Sequence, residues 1–366
     1  MKKTIALMLS VLLVLALLAG CNGQDNPPVS QPPSTSPNES LNSSESETSP
    51  SPSPPNDETS PTPPSLPDPV NIRIGGLVGP GGMGMVKLLE DAENGLTHNT
   101  YEYYYGGSPD ELTPRFLQGG LDIIAVPANL ASIIYNNTSG GARVLTITAR
   151  GIMYILEKGG EDIQTVEDLR GQEMFSVGKG SSSEFAMRHI FEANGLHPDN
   201  DVTIEWRVEP TEVLAMLSAR DHGIAMLPQP FATIAQIQMP EMRIALDLTK
   251  EWDDLGTDSQ FLTTAFIVDS EFADTHPEAL GIFLEEFAAS TDYVNANIPE
   301  AADLIEKYLG LAPPVAARAL PYCNLVSISG AEMKRIMQSY LEVIHEQNPA
   351  SVGGTLPGND FYHGAD

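Results

Sequence analysis

Two segments of the sequence, about a hundred residues apart, repeat the same order of strand, proline and helix. Residues 123–133 (IIAVPANLASI) align without a gap with residues 224–234 (IAMLPQPFATI), apolar residues fall on apolar residues, and the prolines coincide. A short apolar run that ends in proline and leads into an apolar periodic stretch is typical of a buried strand followed by a helix. The repeat therefore predicts two similar α/β lobes.

The residues around the first segment extend this pattern to a whole lobe. Residues 70–74 alternate as a strand, residues 85–89 carry a helical stripe, and residues 101–105 are aromatic and extended. Residues 108–111 (SPDE) are typical of a helix that starts with a capping box and proline at its first position. Strands that alternate with helices indicate parallel sheets. We therefore predict an α/β fold, with two β-α-β lobes joined by a two-strand hinge.

The chain is predicted to cross between the lobes twice. The crossings fall near residues 148–156 and 243–249, after which residues 261–268 are expected to form a further strand of the first lobe. The predicted division is lobe 1, residues 70–150 and 247–366, and lobe 2, residues 151–246. Three C-terminal helices, near residues 277–295, 299–309 and 331–345, are predicted from their helical apolar spacing to pack on lobe 1 and behind the hinge.

The residues before position 70 are predicted to lie outside both lobes. Residues 1–20 combine two lysines with an apolar run, which is typical of an export signal. Residues 21–69 are rich in Ser, Pro, Thr, Asn and Glu and cannot bury enough apolar surface to fold, so they are predicted to form an extended tether. Residues 18–21 (LAGC) resemble the lipobox of bacterial lipoproteins, which implies cleavage before Cys21 and a lipid on its sulfur. An ordinary secretory signal with an incidental cysteine is the alternative.

Charge and composition exclude several classes of partner. The formal net charge of -30 argues against binding to nucleic acid or to anionic lipid. The seven histidines show no metal-ligand spacing and there is no cysteine cluster, so no metal and no cofactor are predicted. With Cys21 lipidated, Cys323 would have no disulfide partner, and we interpret it as a buried apolar residue.

Residues 79–84 (GPGGMG) form a glycine-rich loop between a predicted strand and a predicted helix. The loop matches the G-x-G-x-x-G pattern of dinucleotide sites, but an exported protein meets little NAD, and Pro80 removes a backbone donor. We interpret the loop as one that approaches a small ligand with its backbone, through Gly79, Gly82 and Met83. The alternative is that glycine only permits a tight turn.

A second glycine-rich loop, GKGSSSEF at residues 178–185, carries three serines at a predicted helix start. Ser181 and Glu184 match a capping box. Ser182 and Ser183 would then place N–H groups and hydroxyls at the positive end of the helix dipole, which suits a sulfonate, a carboxylate or a phosphate-like oxygen. The loop is therefore predicted to hold a ligand.

Two further features of this loop have alternative readings. Lys179 would either add a positive charge to the site or point to solvent. A nucleophilic serine is a second possibility, but the loop lacks the G-x-S-x-G pattern, and no His or Asp is placed by motif as its base.

Side chains at the ends of equivalent strands complete the predicted site. Asn129 and Gln229 follow the strand-end prolines, and their amides can both donate and accept hydrogen bonds. The alternatives are a helix cap for Asn129 and a solvated turn for Gln229. Phe261 could stack on a ring-shaped ligand, although aromatic residues more often pack in cores. The predicted ligand-binding residues are Gly79, Gly82, Met83, Asn129, Lys179, Ser181, Ser182, Ser183, Gln229 and Phe261.

Four segments resemble the matching parts of ABC-transporter substrate-binding lipoproteins. The group is the nitrate, sulfonate, taurine and thiamine-precursor branch, which has the type II periplasmic-binding-protein fold, and the resemblance extends from about residue 70 to residue 292. The segments are IRIGGLVGPGGMGMVKLLED, DIIAVPANLASIIYNNT, TVEDLRGQEMFSVGKGSSSEFAMRHIFEANGL and HGIAMLPQPFATIA.

The resemblance implies an extracytoplasmic solute-binding lipoprotein that is not an enzyme. It would deliver a small organic molecule or anion to an ABC permease by hinge closure, act as a monomer, and contact the membrane only through its lipid. Relatives on the same fold include a pyrimidine synthase and a menaquinone-pathway dehydratase, so an enzyme is one alternative, which the export signal argues against. A binding module that reports to a membrane sensor is the other.

Overall fold

Eleven β-strands in two sheets form the framework of residues 67–365, the part of the chain that the computed structural model describes. The predicted export signal, Cys21 and almost all of the predicted tether lie outside these residues. The strands are β1 (Asn71–Leu77), β2 (Thr100–Gly106), β3 (Ile123–Pro127), β4 (Ala142–Arg150), β5 (Met153–Lys158), β6 (Glu173–Ser176), β7 (Thr203–Trp206), β8 (Gly223–Pro228), β9 (Met242–Asp247), β10 (Leu262–Asp269) and β11 (Leu325–Ile328).

Thirteen α-helices connect and cover these strands. The helices are α1 (Pro80–Met83), α2 (Val86–Glu93), α3 (Pro109–Leu117), α4 (Ala128–Asn137), α5 (Ser182–Ala193), α6 (Pro210–Ser218), α7 (Phe231–Gln238), α8 (Leu248–Asp253), α9 (Ser270–Thr275), α10 (Pro277–Ala296), α11 (Ile298–Leu309), α12 (Pro313–Ala319) and α13 (Gly330–Gln347). Within residues 67–365, no helix combines the length and the apolar character needed to span a bilayer.

The two sheets share one order of strands, which confirms the predicted pair of similar α/β lobes. The first sheet runs β2-β1-β3-β10-β4-β11 and the second runs β7-β6-β8-β5-β9. In the first, β1 pairs in parallel with β2 and β3; in the second, β6 pairs in parallel with β7 and β8. The third strand of each sheet then pairs with an antiparallel strand. In the first sheet β3 pairs with β10, which comes later in the chain, and in the second sheet β8 pairs with β5, which comes earlier.

The chain leaves the first sheet after β4 and returns to it at β10. The first connection is the short segment between β4 and β5, and the second runs from β9 through α8 to β10. The carbonyl of Gly151, in the first connection, accepts hydrogen bonds from Thr249 Oγ1 in α8 (2.9 Å) and from Asn324 Nδ2 (2.6 Å). The two connections are thus tied together, and β10 lies in the first sheet as its sequence predicts.

The start of α3 differs in detail from the predicted capping box. Ser108 is the N-cap residue and Pro109 is the first helical residue, as expected, but the Ser108 side chain makes no capping hydrogen bond. The Glu111 carboxylate instead accepts from the backbone N–H of Gly107 at 2.9 Å. Glu111 therefore binds the N–H of Gly107, whereas a capping box would have it bind the N–H of Ser108.

One apolar cluster extends through both lobes. It contains residues of the first sheet such as Val126, residues of the second such as Met226, and residues of α13 such as Ile336. Helix α13 contacts both α5 and β4. The C-terminal helices were predicted to pack on lobe 1 and behind the hinge; α13 also packs on lobe 2, because its apolar face reaches α5.

A smaller apolar cluster lies beneath α1. Cys323 is fully buried there, with its Sγ 3.8 Å from Met83 Sδ. Burial raises the pKa of the Cys323 thiol well above its usual range, so the thiol stays protonated. The prediction that Cys323 is a buried apolar residue is confirmed.

Candidate functional site: the boundary between the lobes

The starts of α4 and α5 meet where the two lobes face each other. Helix α4 follows β3 of the first sheet, and α5 follows β6 of the second. Asn129 Oδ1 accepts hydrogen bonds from the backbone N–H and the hydroxyl of Ser182, both at 3.0 Å, and the backbone N–H of Asn129 donates to Ser182 Oγ at 3.1 Å. Only 2% of Asn129 and 1% of Ser182 are exposed. Two predicted site residues are therefore brought together, in direct contact with each other.

The C-terminal part of the chain holds this contact from a third side. Asn129 Nδ2 donates to the Ser351 carbonyl at 3.1 Å, and the hydroxyl of Tyr340 in α13 donates to the Ser182 carbonyl at 3.2 Å. Tyr340 and Ser351 are also buried. Every polar atom of the Asn129 side chain thus has a protein partner. Tyr340 and Ser351 were not among the predicted residues, because each lies more than 150 residues from its partner.

The loop before α5 closes on itself. Ser181 is the N-cap residue: its Oγ accepts from the Ser183 N–H at 3.3 Å and donates to the Gly178 carbonyl at 2.6 Å. The Glu184 carboxylate accepts from the Gly180 N–H at 2.6 Å. The predicted capping residue is therefore correct, but Glu184 binds the residue before Ser181 rather than Ser181 itself. Helix α5 ends at Ala193, with Asn194 as its C-cap residue.

In the first glycine-rich loop, residues 79–84, backbone N–H groups form hydrogen bonds within the loop itself. The N–H groups of Gly82 and Met83 both donate to the Gly79 carbonyl, at 2.9 and 3.0 Å. Gly79 has a φ of 137°, a conformation that side chains rarely adopt. The Met83 side chain is buried in the cluster with Cys323. Gly82 and Met83 were predicted to contact a ligand through their backbones, but their N–H groups already donate to the Gly79 carbonyl.

Two predicted site residues lie away from the boundary contact. Lys179 is exposed, as in the alternative that it points to solvent. The pKa of the nearby Asp199 carboxyl is lowered, chiefly by its hydrogen bond with Arg188 and to a smaller extent by Lys179. Phe261 is fully buried and stacks on Trp252, with ring centroids 5.9 Å apart, so it packs in the core.

An aromatic cluster around Trp252 joins several elements, although the sequence did not predict it. Trp252 in α8 lies 5.8 Å from Tyr340 in α13 and 4.6 Å from His189 in α5, measured between ring centroids. Its indole N–H donates to the Ser259 carbonyl at 2.9 Å. Burial lowers the pKa of His189, which favours the neutral imidazole. The cluster therefore links the connection between the lobes to α5 and α13.

Gln229 is a predicted site residue whose buried side chain keeps an unused donor. It is 1% exposed, which contradicts the alternative of a solvated turn. Its Oε1 accepts from Thr233 Oγ1 at 2.9 Å, and its backbone N–H donates to the Ile152 carbonyl at 3.0 Å. Its Nε2 is buried and has no hydrogen-bond partner among the described residues. A buried amide donor without an acceptor is costly, and a ligand atom could supply the missing acceptor.

Cavities lie on the surface away from the contact between Asn129 and Ser182. One of about 500 Å³ lies at the β2 edge of the first sheet, against α2 and α11, and is lined by Tyr101, Tyr103 and Tyr105. Across residues 67–365, no group of three or more His, Cys, Asp or Glu side chains is arranged to bind a metal.

Comparisons with known proteins point to one fold. Residues 142–302 match the family model described as NMT1/THI5 like. A structure described as an ABC transporter from Parabacteroides distasonis superposes with a TM-score of 0.68 at 20% identity, covering 80% of this chain and 98% of its own. The fold is that of a type II periplasmic binding protein.

Two further solved structures superpose on most of the chain. The aliphatic sulphonate binding protein SsuA from Escherichia coli has a TM-score of 0.64 at 18% identity, covering 80% of this chain and 98% of its own. The nitrate-binding protein NrtA from Synechocystis PCC 6803 has a TM-score of 0.52 at 13% identity, covering 69% of this chain and 70% of its own. No curated protein matches the chain. The predicted resemblance to this group of substrate-binding proteins is confirmed.

Proposed function

We propose that this chain is an extracytoplasmic solute-binding lipoprotein that delivers a small molecule to an ABC importer by closing two lobes around it. The observation that carries the proposal is the arrangement of two sheets with one strand order, joined by two connections, with the starts of α4 and α5 in contact between them. The match of residues 142–302 to the NMT1/THI5-like family and the names of the similar structures support the same role.

Closure requires that a ligand bind the closed arrangement more tightly than the open one. Opening the lobes would separate Asn129 from Ser182 and return both to water. A ligand held between the lobes would add contacts that exist only when they are closed. Gln229 Nε2, which is buried and unpaired among the described residues, is the donor that such a ligand would satisfy.

We further propose that Cys21 carries the lipid and that residues 21–69 connect it to the folded lobes on the outer face of the membrane. The similar SsuA and NrtA structures are described as periplasmic proteins. A lipid anchor keeps the protein close to its permease and raises the local concentration of the pair, so the two need not form a tight complex. The protein would act as a monomer without a cofactor, and would bind without turnover.

A panel of metabolites tests this function by thermal unfolding of the purified full chain. A true ligand should raise the unfolding temperature steadily with the logarithm of its concentration above Kd, with a gain of about 2.7 kcal/mol at a hundredfold excess over Kd. Replacement of Gln229 by methionine should weaken the binding about 3- to 10-fold, since one hydrogen bond is lost. Gln238→Ala, an exposed glutamine at the end of α7, is the matched control and should change nothing.

Two outcomes of this panel would contradict the proposal. One is that no compound of any charge class stabilises the protein. The other is that a stabilising compound is converted to a product, which would make the chain an enzyme on the same fold.

A further inference from the structure

We infer that Asn129 is a specificity-determining residue, which occupies the start of α5 from the opposite lobe and thereby excludes anionic ligands from it. The inference rests on the proposed solute-binding function and narrows it: the ligand of this chain would be an uncharged polar molecule. The similar structures include sulphonate- and nitrate-binding proteins, so the inference sets this chain apart from them.

The backbone N–H groups at the start of α5 are all occupied by hydrogen bonds within the protein. Free N–H groups at a helix start are what an anion binds. Here all five successive groups donate to acceptors within the protein. The pairs are Gly180 with the Glu184 carboxylate, Ser181 with the Gly178 carbonyl, Ser182 with Asn129 Oδ1, Ser183 with Ser181 Oγ, and Glu184 with the Ser181 carbonyl.

The acceptor for the Ser182 N–H is Asn129 Oδ1, which belongs to the other lobe. The Asn129 amide oxygen lies where an anion's oxygen would lie, and it also accepts from the Ser182 hydroxyl. The rest of the amide is fixed by its bond to the Ser351 carbonyl. An anion that displaced this oxygen would leave a buried amide with lost hydrogen bonds, which is costly.

The charged side chains around residues 178–185 also disfavour an anion at the start of α5. The Glu184 carboxylate, 6% exposed, lies against the Gly180 N–H and so places negative charge at the start of the helix. Lys179, one of the two cations near the loop, is exposed to solvent. The other, Arg188, is bound to Glu184 and is shared with Asp199. An incoming anion would therefore meet the Glu184 carboxylate at the start of α5, beside a guanidinium that is already paired twice.

The buried side-chain donor of Gln229, unpaired within residues 67–365, fits an uncharged ligand. Gln229 Nε2 carries no formal charge and can donate to a carbonyl oxygen, a hydroxyl or a ring nitrogen. A neutral acceptor of this kind would satisfy it without adding an unpaired charge beside the first connection, where the Gln229 N–H donates to the Ile152 carbonyl. The structure therefore favours a neutral molecule over a sulfonate, a nitrate or a carboxylate.

Titration of the full chain with methanesulfonate, nitrate and sulfate tests the inference. The wild-type protein should bind none of them saturably. Asn129→Ala frees the N–H and hydroxyl of Ser182 and should bind methanesulfonate saturably, with an affinity at least tenfold above the detection limit that bounds wild type. Asn136→Ala is the matched control: it removes the same amide from the same helix, where Asn136 Nδ2 donates to the Val352 and Thr355 carbonyls and not to lobe 2.

Two results of the titration would overturn the inference. One is that wild type binds methanesulfonate and that Ser182→Ala abolishes this binding. The other is that Asn129→Ala, with a cooperative unfolding transition, binds the anions no better than Asn136→Ala. The first result would still support a solute-binding protein, so it differs from a failure of the proposed function, in which no compound binds.

Hydrogen exchange of the wild-type chain gives a test that needs no variant. The amides of residues 180–184 should exchange slowly without any added anion, because each already donates to a protein acceptor. Addition of methanesulfonate should leave their exchange rates unchanged. Fast exchange of the Ser182 amide that methanesulfonate slows would overturn the inference.

Discussion

Replacement of Trp252 by alanine is expected to lower the free energy of unfolding by about 3 to 5 kcal/mol. The indole is fully buried among the rings of His189, Phe261 and Tyr340, so its removal leaves a cavity that the surrounding side chains cannot fill. The bond from the indole N–H to the Ser259 carbonyl is lost as well. Chemical denaturation followed by circular dichroism measures the change.

The position of Trp252 should also affect ligand binding. The residue contacts His189 of α5 and Tyr340 of α13, and the Tyr340 hydroxyl donates to the Ser182 carbonyl at the boundary. Weaker packing there would favour the open arrangement of the lobes. Tyr322→Ala is the control, since its side chain is 44% exposed, and it should cost about 1 kcal/mol or less. Equal losses in the two variants would contradict this account.

Replacement of Gly82 by alanine is expected to cost about 1 to 3 kcal/mol of stability through overpacking. A Cβ at this position would lie 2.5 Å from the Leu77 carbonyl oxygen and 3.0 Å from Tyr105 Cε1. The backbone oxygen cannot move aside without disturbing the end of β1. Thermal unfolding of the variant measures the loss.

The adjacent glycine supplies the control for this experiment. A Cβ on Gly81 would meet nothing closer than Thr264 Cγ2 at 3.5 Å, which is ordinary contact. Gly81→Ala should therefore leave stability nearly unchanged. If Gly82→Ala proved as stable as Gly81→Ala but bound ligand more weakly, glycine would be needed here for close approach of the ligand, and the steric explanation would be wrong.

The framework of the lobes could be predicted because its signals are local. The buried strands β3 and β8 are short apolar runs, each is followed at once by a proline, and the apolar period of the next helix is visible within ten residues. The same reasoning gave β10 and α5 with its N-cap Ser181. Equivalent elements then had to assemble in the same order, because each lobe buries the same pattern of apolar faces.

The partners of the candidate site residues could not be predicted, because they depend on contacts between distant parts of the chain. Asn129 and Ser182 are 53 residues apart, and the sequence shows only that each can donate and accept. Free N–H groups at a helix start look the same in a sequence whether or not another lobe supplies their acceptor. Phe261 likewise gave no sign that Trp252 would stack on it in the core.

A crystal structure of the protein with a compound that stabilises it tests the central claim most directly. The account predicts that the compound lies between the two sheets, with an uncharged atom accepting a hydrogen bond from Gln229 Nε2. Density for the compound on an outer surface, such as the cavity lined by Tyr101, Tyr103 and Tyr105 at the β2 edge, with an empty boundary between the lobes, would contradict it.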